Sequence, residues 1–359
     1  MFKKWGLSAA ALLLTTAVVL PGCGKKEEPK EALQQSASKV AAMESYGLTS
    51  KLVINNLTID TPNEDADMTQ VLSMLKNAEL SVTGVYQAKP MQTEMTMVLN
   101  LKGDMAMSFT VPMVMTTEKM FVKIPSIPFL PLPETVVGKF LELDLKELAE
   151  QEGAEFNPAT MDTKKTQELS NEVMTTLLDQ YDQKKYFKDI SVKDANLPEG
   201  VDARQVVQFQ VTNDNVKEAI TILVNDALPK IIDILSKEEY RNMLQIDQKD
   251  LDQAKSEIQS GETRSELDKG LADLHKYLTV NKFVVNTAID KKDYPVYQDV
   301  DMDINMNNPD DNTKIGLSMK ASNHYSKINE KPVFQYGIPS GDEVITQDQL
   351  MEEFGTSSY

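Results

Sequence analysis

Two blocks of the chain alternate apolar and polar residues with a period of two. Over 79–87, Leu80, Val82, Gly84 and Tyr86 are separated by Glu79, Ser81 and Thr83. After Ala88-Lys89-Pro90, Met91, Thr93, Met95, Met97, Leu99 and Leu101 alternate with Gln92, Glu94, Thr96 and Asn100. Beyond Gly103-Asp104 the stripe continues through Met105, Met107, Phe109 and Val111. Successive strand side chains point to opposite faces, so these stripes predict hairpin-connected antiparallel strands with one buried and one wet face. Alternation returns over 280–336, in stripes of Phe283, Val285, Thr287 and Ile289, then Val296, Val300, Met302, Ile304 and Met306, then Ile315, Leu317, Met319 and Ala321. Lys292-Asp293-Tyr294-Pro295 stands where Ala88-Lys89-Pro90 stood, so the second block echoes the first as a shared pattern.

Between and before these blocks the period is helical. Leu33, Ala37, Val40, Ala41 and Met43 mark one face of a first helix over Glu31 to Tyr46. The middle of the chain, about 145 to 278, reads as a mainly helical insert. There Asn215-x-x-Glu218 and Ser236-x-x-Glu239 have the form of capping boxes. Val216 to Leu235 is apolar around much of its circumference, which requires burial, and Pro229 should bend or break it. The more polar stretch 247–278 is expected on the surface, interrupted near Gly261, and Thr346-x-x-Gln349 opens a short last helix. The fold class is therefore α+β, a large curved antiparallel sheet covered by helices, in a single domain spanning 37–359.

Lys3 and Lys4, the apolar run Leu7 to Leu20 and the sequence Leu20-Pro21-Gly22-Cys23 together resemble a bacterial lipoprotein signal, with Pro21 the one departure from the usual pattern. The resemblance implies a signal peptide at 1–22, cleaved before Cys23, and lipid on the cysteine sulfur. Residues 23–36 then form a lipid-anchored tether. Its place would be the outer face of a cell membrane, as in Gram-positive bacteria. Cys23 is the only cysteine, so no disulfide can form once it carries lipid. With 37 Lys and Arg against 55 Asp and Glu, the net charge is −18. Such a balance argues against nucleic acid as a partner and against lying flat on anionic lipid.

Catalytic signatures are missing: there is no glycine-rich phosphate loop, no H-E-x-x-H and no G-x-S-x-G, and the expectation is a non-enzyme without cofactor. His275 and His324 read as surface or satisfied residues. Asp299, Asp301 and Asp303 suggest calcium, but positions six and twelve of such a loop, counted from Asp301, are Met306 and Asn312 instead of Gly and Glu. Their interleaving with Val300, Met302 and Ile304 makes them the wet face of a strand. Methionines cluster between Met91 and Met120. Thioether side chains adapt to irregular apolar contents, so they either face a greasy ligand or fill a core. A copper site of methionine sulfurs lacks a nearby histidine or second cysteine. The segment 125–134, with Pro125, Pro128, Pro131 and Pro133, is stiff and extended, either a flap or docking strip or a loop over the sheet edge.

The order of elements, with Ala32 to Leu57 (ALQQSASKVAAMESYGLTSKLVINNL) and the strand blocks 79–124 and 280–336, resembles the LolA/LolB/LppX-type envelope fold and uncharacterised Gram-positive lipoproteins. That group folds its sheet into a half-open barrel with helices inside. The resemblance implies a cavity between sheet and helices for an apolar small molecule or lipid, with Met95, Met97, Met107, Phe109 and Phe129 as candidate contacts. Docking of another envelope protein is the alternative.

Overall fold

A computed structural model of the chain describes residues 26–62, 72–102, 106–127, 132–151, 156–157, 163–309 and 312–356. Expectations resting on the leader, Cys23, Met105 and Phe129 lie outside these residues. The protein is α+β, built on one open sheet of twelve strands in the order β12-β6-β5-β4-β3-β2-β1-β11-β10-β9-β8-β7. The first block comprises β1 (Ser45–Asp60), β2 (Glu79–Ala88), β3 (Met91–Leu101), β4 (Met107–Thr116), β5 (Lys119–Lys123) and β6 (Phe140–Asp144). The second comprises β7 (Phe187–Ile190), β8 (Gln205–Val211), β9 (Leu278–Ile289), β10 (Pro295–Asn308) and β11 (Thr313–Ser326). Each block is a meander, and antiparallel pairing of β1 with β11 fuses the two. The short β12 (Val344–Thr346) adds in parallel to β6.

Register puts one apolar stripe per strand on a common face. Met97 on β3 lies opposite Val82 and Val111, and Met302 on β10 opposite Phe283 and Met319. Bulges, among them one in β1 and one in β9, preserve this where the sequence breaks its own period. In β1 the apolar residues are Leu52, Ile54, Leu57 and Ile59, with a step of three instead of two between the middle pair; an unpaired Asn55 absorbs the extra residue. In β9 the same three-step falls between Val280 and Phe283, and Asn281 is the residue left over. Without these bulges half of each strand would present its polar side to the core. Gly84 answers a different need: a Cβ there would stand 2.7 Å from the Glu94 carbonyl oxygen of the neighbouring strand.

Helices cover this face over the second block. The first is α1 (Pro29–Val40), followed by α2 (Thr163–Gln180) and α3 (Val216–Ile222). A π-turn, Leu223–Ala227, leads from α3 into α4 (Leu228–Leu235). Pro229 has no N–H for the carbonyl of Asn225, and the ladder widens just before it, with Leu228 N–H bonding Leu223 O. Ala32, Leu33, Tyr181, Tyr186, Phe187, Val207, Ala219 and Ile289 form the core beneath. The polar stretch becomes α5 (Gln248–Gln259) and α6 (Gly261–Ala272), separated at Ser260, whose hydroxyl caps α6 by accepting from Thr263 N–H.

The mainly helical insert over 145–278 also contributes β7 and β8, which extend the sheet to its far edge. Two expectations are corrected here. Residues 29–36 are not tether: they are the first turns of α1, fixed by burial of Ala32, Leu33 and Ser36. Neither Asn215 nor Ser236 caps a helix. Asn215 Oδ1 accepts from Thr212 N–H at 2.7 Å instead, and Ser236, at the end of α4, donates its hydroxyl to Ile232 O. The third box does form, with Thr346 Oγ1 accepting from Gln349 N–H and Gln349 Oε1 from Thr346 N–H, at the start of α7 (Gln347–Thr356).

After β11 the chain leaves the sheet and crosses to its opposite face, over the first block. Val114, Phe121 and Phe140 form a second small core there, closed by Tyr336 and Val344. Glu94, only 7% exposed, fastens the crossing segment by accepting from the N–H groups of Gln335, Tyr336 and Gly337 at 2.9, 2.8 and 3.2 Å. Removing the carboxylate strands donors at about 1–3 kcal/mol each when buried. Glu94→Ala is therefore expected to lower the melting temperature and expose the amides of 335–337 to exchange, while those of β9 and β10 stay protected; hydrogen exchange by mass spectrometry reads both.

Candidate functional site

A cleft of about 700 Å³ lies between the helices and the second block of the sheet. Such a volume falls within the roughly 300–1,000 Å³ range of small-molecule sites. Its sheet wall is the common face of β8 to β11, where Phe209, Phe283, Val285, Met302, Ile304 and Tyr325 project. Leu33, Ala37 and Val40 enter from α1, Met174, Leu177 and Leu178 from α2, and Ala219, Ile220 and Leu223 from α3 and the π-turn. Space remains because small side chains, Ser36, Ala37 and Ala219, stand where helix meets sheet.

The polar groups of the cleft are few and neutral. No Asp, Glu, Lys, Arg or His is found among the described residues that line it. Gln298 donates to Thr287 Oγ1 at 3.2 Å, and Ser36 donates to Leu33 O within its own helix. Asn171 Oδ1 is buried and accepts no hydrogen bond. At the β11 side Tyr325 belongs to an aromatic group in which the Tyr46 ring centroid lies 5.3 Å from that of Tyr325 and 4.9 Å from that of Tyr86. Burial, then the neighbouring phenols of Tyr325 and Tyr86, push the Tyr46 hydroxyl up to about 12, so it stays protonated at physiological pH. The composition of this cleft favours apolar contact over charge, and among its described lining residues no nucleophile stands beside an acidic, basic or imidazole side chain.

The expected contacts fall elsewhere. Met95 and Met97 on β3, and Met107 and Phe109 on β4, share the common face but do not line the cleft, because the helices sit over the second block. All four are half-buried. The cleft's own methionines are Met174 and Met302. The signal available in the sequence was the stripe Leu33, Ala37 and Val40, read there only as a packing face. Asp299, Asp301 and Asp303 do occupy the opposite, wet face of β10, held by Asn286, Lys282 and Asn281. His275 is exposed, and His324 packs edge-on against Tyr297 away from the cleft. Among the described residues no helix is long and apolar enough to cross a membrane.

The fold and cleft thus define an α+β protein with an open, mostly antiparallel sheet and an apolar cleft under its helices. No family model and no curated protein matches the chain. Among solved structures, the bifunctional dehydratase-cyclase domain of ambruticin biosynthesis is 9% identical over 86% of this chain and 83% of that one, with a TM-score of 0.10. A conserved hypothetical protein of Mycobacterium tuberculosis with a double hotdog fold is 10% identical over 87% and 85%, with a TM-score of 0.11. Likeness at that level defines neither fold nor function.

Proposed function

We propose that this chain is a non-catalytic binding protein, tethered to the outer face of a Gram-positive cell membrane by lipid on Cys23, whose cleft takes the apolar part of an uncharged, lipid-like ligand. The observation that carries the reading is the cleft of about 700 Å³ without a charged residue among its described lining, in a chain that is 26% charged. A helix, a meander, an insert and a second meander in that order also support kinship with the LolA-type half-barrel. An ionised head group inside the cleft would lose its hydration with no opposite charge among the described lining residues to compensate. The neutral end of a ligand loses much less.

The test uses residues 24–359 produced without lipid, analysed by native mass spectrometry and by titration with a long-chain alcohol and the matching fatty acid. The alcohol should bind at any pH near neutrality, whereas affinity for the acid should fall as its carboxyl ionises. A clean apo mass with no uptake of either compound would count decisively against carriage. The half-exposed Met95, Met97, Met107 and Phe109 favour a second reading, docking of an envelope protein on the first block. Crosslinking on cells separates the two, since a docking module captures one protein reproducibly and a carrier captures lipid.

A further inference from the structure

The first described residues are fastened to the body. Lys26 pairs with Asp189 on β7, and Glu27 Oε2 lies 3.3 Å from Arg204 Nη2. The Glu27 carbonyl accepts from Gln205 Nε2 at 2.9 Å, and Gln205 is a 0% exposed side chain at the start of β8. Arg204 is held in turn by the β9–β10 turn, through Asp293 Oδ1 at 2.6 Å and Asp290 O at 3.2 Å. Exposed pairs such as Lys26–Asp189 contribute little. A buried amide on a backbone carbonyl and a mostly buried guanidinium shared between two carboxylates contribute more.

We infer that the protein is held against the bilayer in one orientation, with the end formed by the start of β8 and the β9–β10 turn facing the lipid surface. This rests on the reading of Cys23 as the lipidated residue. Cys23 precedes Lys26 by three residues, so whatever its path the chain between them spans at most about 10 Å. A free tether of residues 24–36 would leave the body free to turn, because a flexible chain of that length explores roughly 20 Å. Fastening at 26 and 27 removes that freedom. Charge cannot set the orientation, since the chain is acidic overall and this end carries Lys291 and Lys292 beside Asp202, Asp290 and Asp293.

The test takes the full lipidated chain, reconstituted into phosphatidylcholine vesicles that contain a nitroxide-headgroup lipid. With the Cys23 sulfur consumed, a single fluorophore goes on Lys292→Cys, in the β9–β10 turn, or on Asp214→Cys, just beyond the far end of β8, about 20 Å away along the strand. Quenching at position 292 should be several times that at 214. In a background of Glu27→Ala with Arg204→Ala the difference should shrink while the melting curve still shows a folded domain. Equal quenching at both positions in the anchored, otherwise unaltered chain overturns the inference and leaves the anchor intact. Protein that lacks the acyl mass and washes off the vesicles overturns the anchor, and the inference with it.

Discussion

Tyr186→Ala is expected to lower the folding free energy by about 3–5 kcal/mol, the usual cost of removing a fully buried aromatic ring. Tyr186 is 1% exposed and stacks on Phe209 with ring centroids 5.9 Å apart, while Tyr181 meets it edge-on at 5.0 Å. Its hydroxyl donates to Asn215 O, which ties the helical turn just before β7 to the entry of α3. Against a total stability of roughly 5–15 kcal/mol for a natural protein, such a loss removes a large part of the margin. Tyr186→Phe keeps the ring and gives up one hydrogen bond, about 1 kcal/mol. Urea melts should therefore rank wild type, Phe and Ala in that order, with a wide gap before Ala. A small Ala effect would mean that the aromatic cluster is not the keystone of the helix-covered core.

Ala37→Trp is expected to weaken binding of a long-chain alcohol by about 100-fold, equivalent to ~2.8 kcal/mol, with little loss of stability. Position 37 faces the cleft from α1, and an indole there would occupy the space the ligand needs. Tryptophan costs a helix only about half a kcal/mol relative to alanine. Filling the space with apolar atoms works in the other direction, so the melting temperature should hold. Met97→Trp is the matched control: it places the same ring on the common face but outside the cleft, and affinity should be unchanged. Isothermal titration of both variants decides between them. Loss of binding in Met97→Trp with retention in Ala37→Trp would move the site to the first block and sink the assignment made here.

Strands β2 to β4 and β9 to β11 were legible because each carries a long run of alternating apolar residues, in β9 from Phe283 onward, and the position of one turn could be carried from block to block. What alternation cannot reveal is which strands sit beneath helices. Met95, Met97 and Met302 look alike in sequence, yet only Met302 lies under α1 to α3. β8 escaped notice for a related reason: in Gln205-Val206-Val207-Gln208-Phe209 both faces carry buried apolar residues, Val206 as well as Val207, and the period of two is blurred. Capping motifs were ambiguous until helix ends were known. Ser236 fits a box by spacing, but α4 runs up to it and claims its hydroxyl, whereas Thr346 ends a strand and its hydroxyl caps the helix that follows.

The crossing of the last segment to the far side of the first block has a consequence for how the chain is made. Helices shield one side of the late strands, and the segment around Tyr336 shields the other side of the early ones, so the two coverings lie diagonally across a single sheet. Glu44 and Ser45, at the entry to β1, are likewise satisfied by Asn329 and Glu330. A chain emerging amino end first would therefore carry strands β3 to β6 unsealed until nearly everything else had followed. Truncation close to the carboxyl end should therefore do its damage at the opposite end of the sequence.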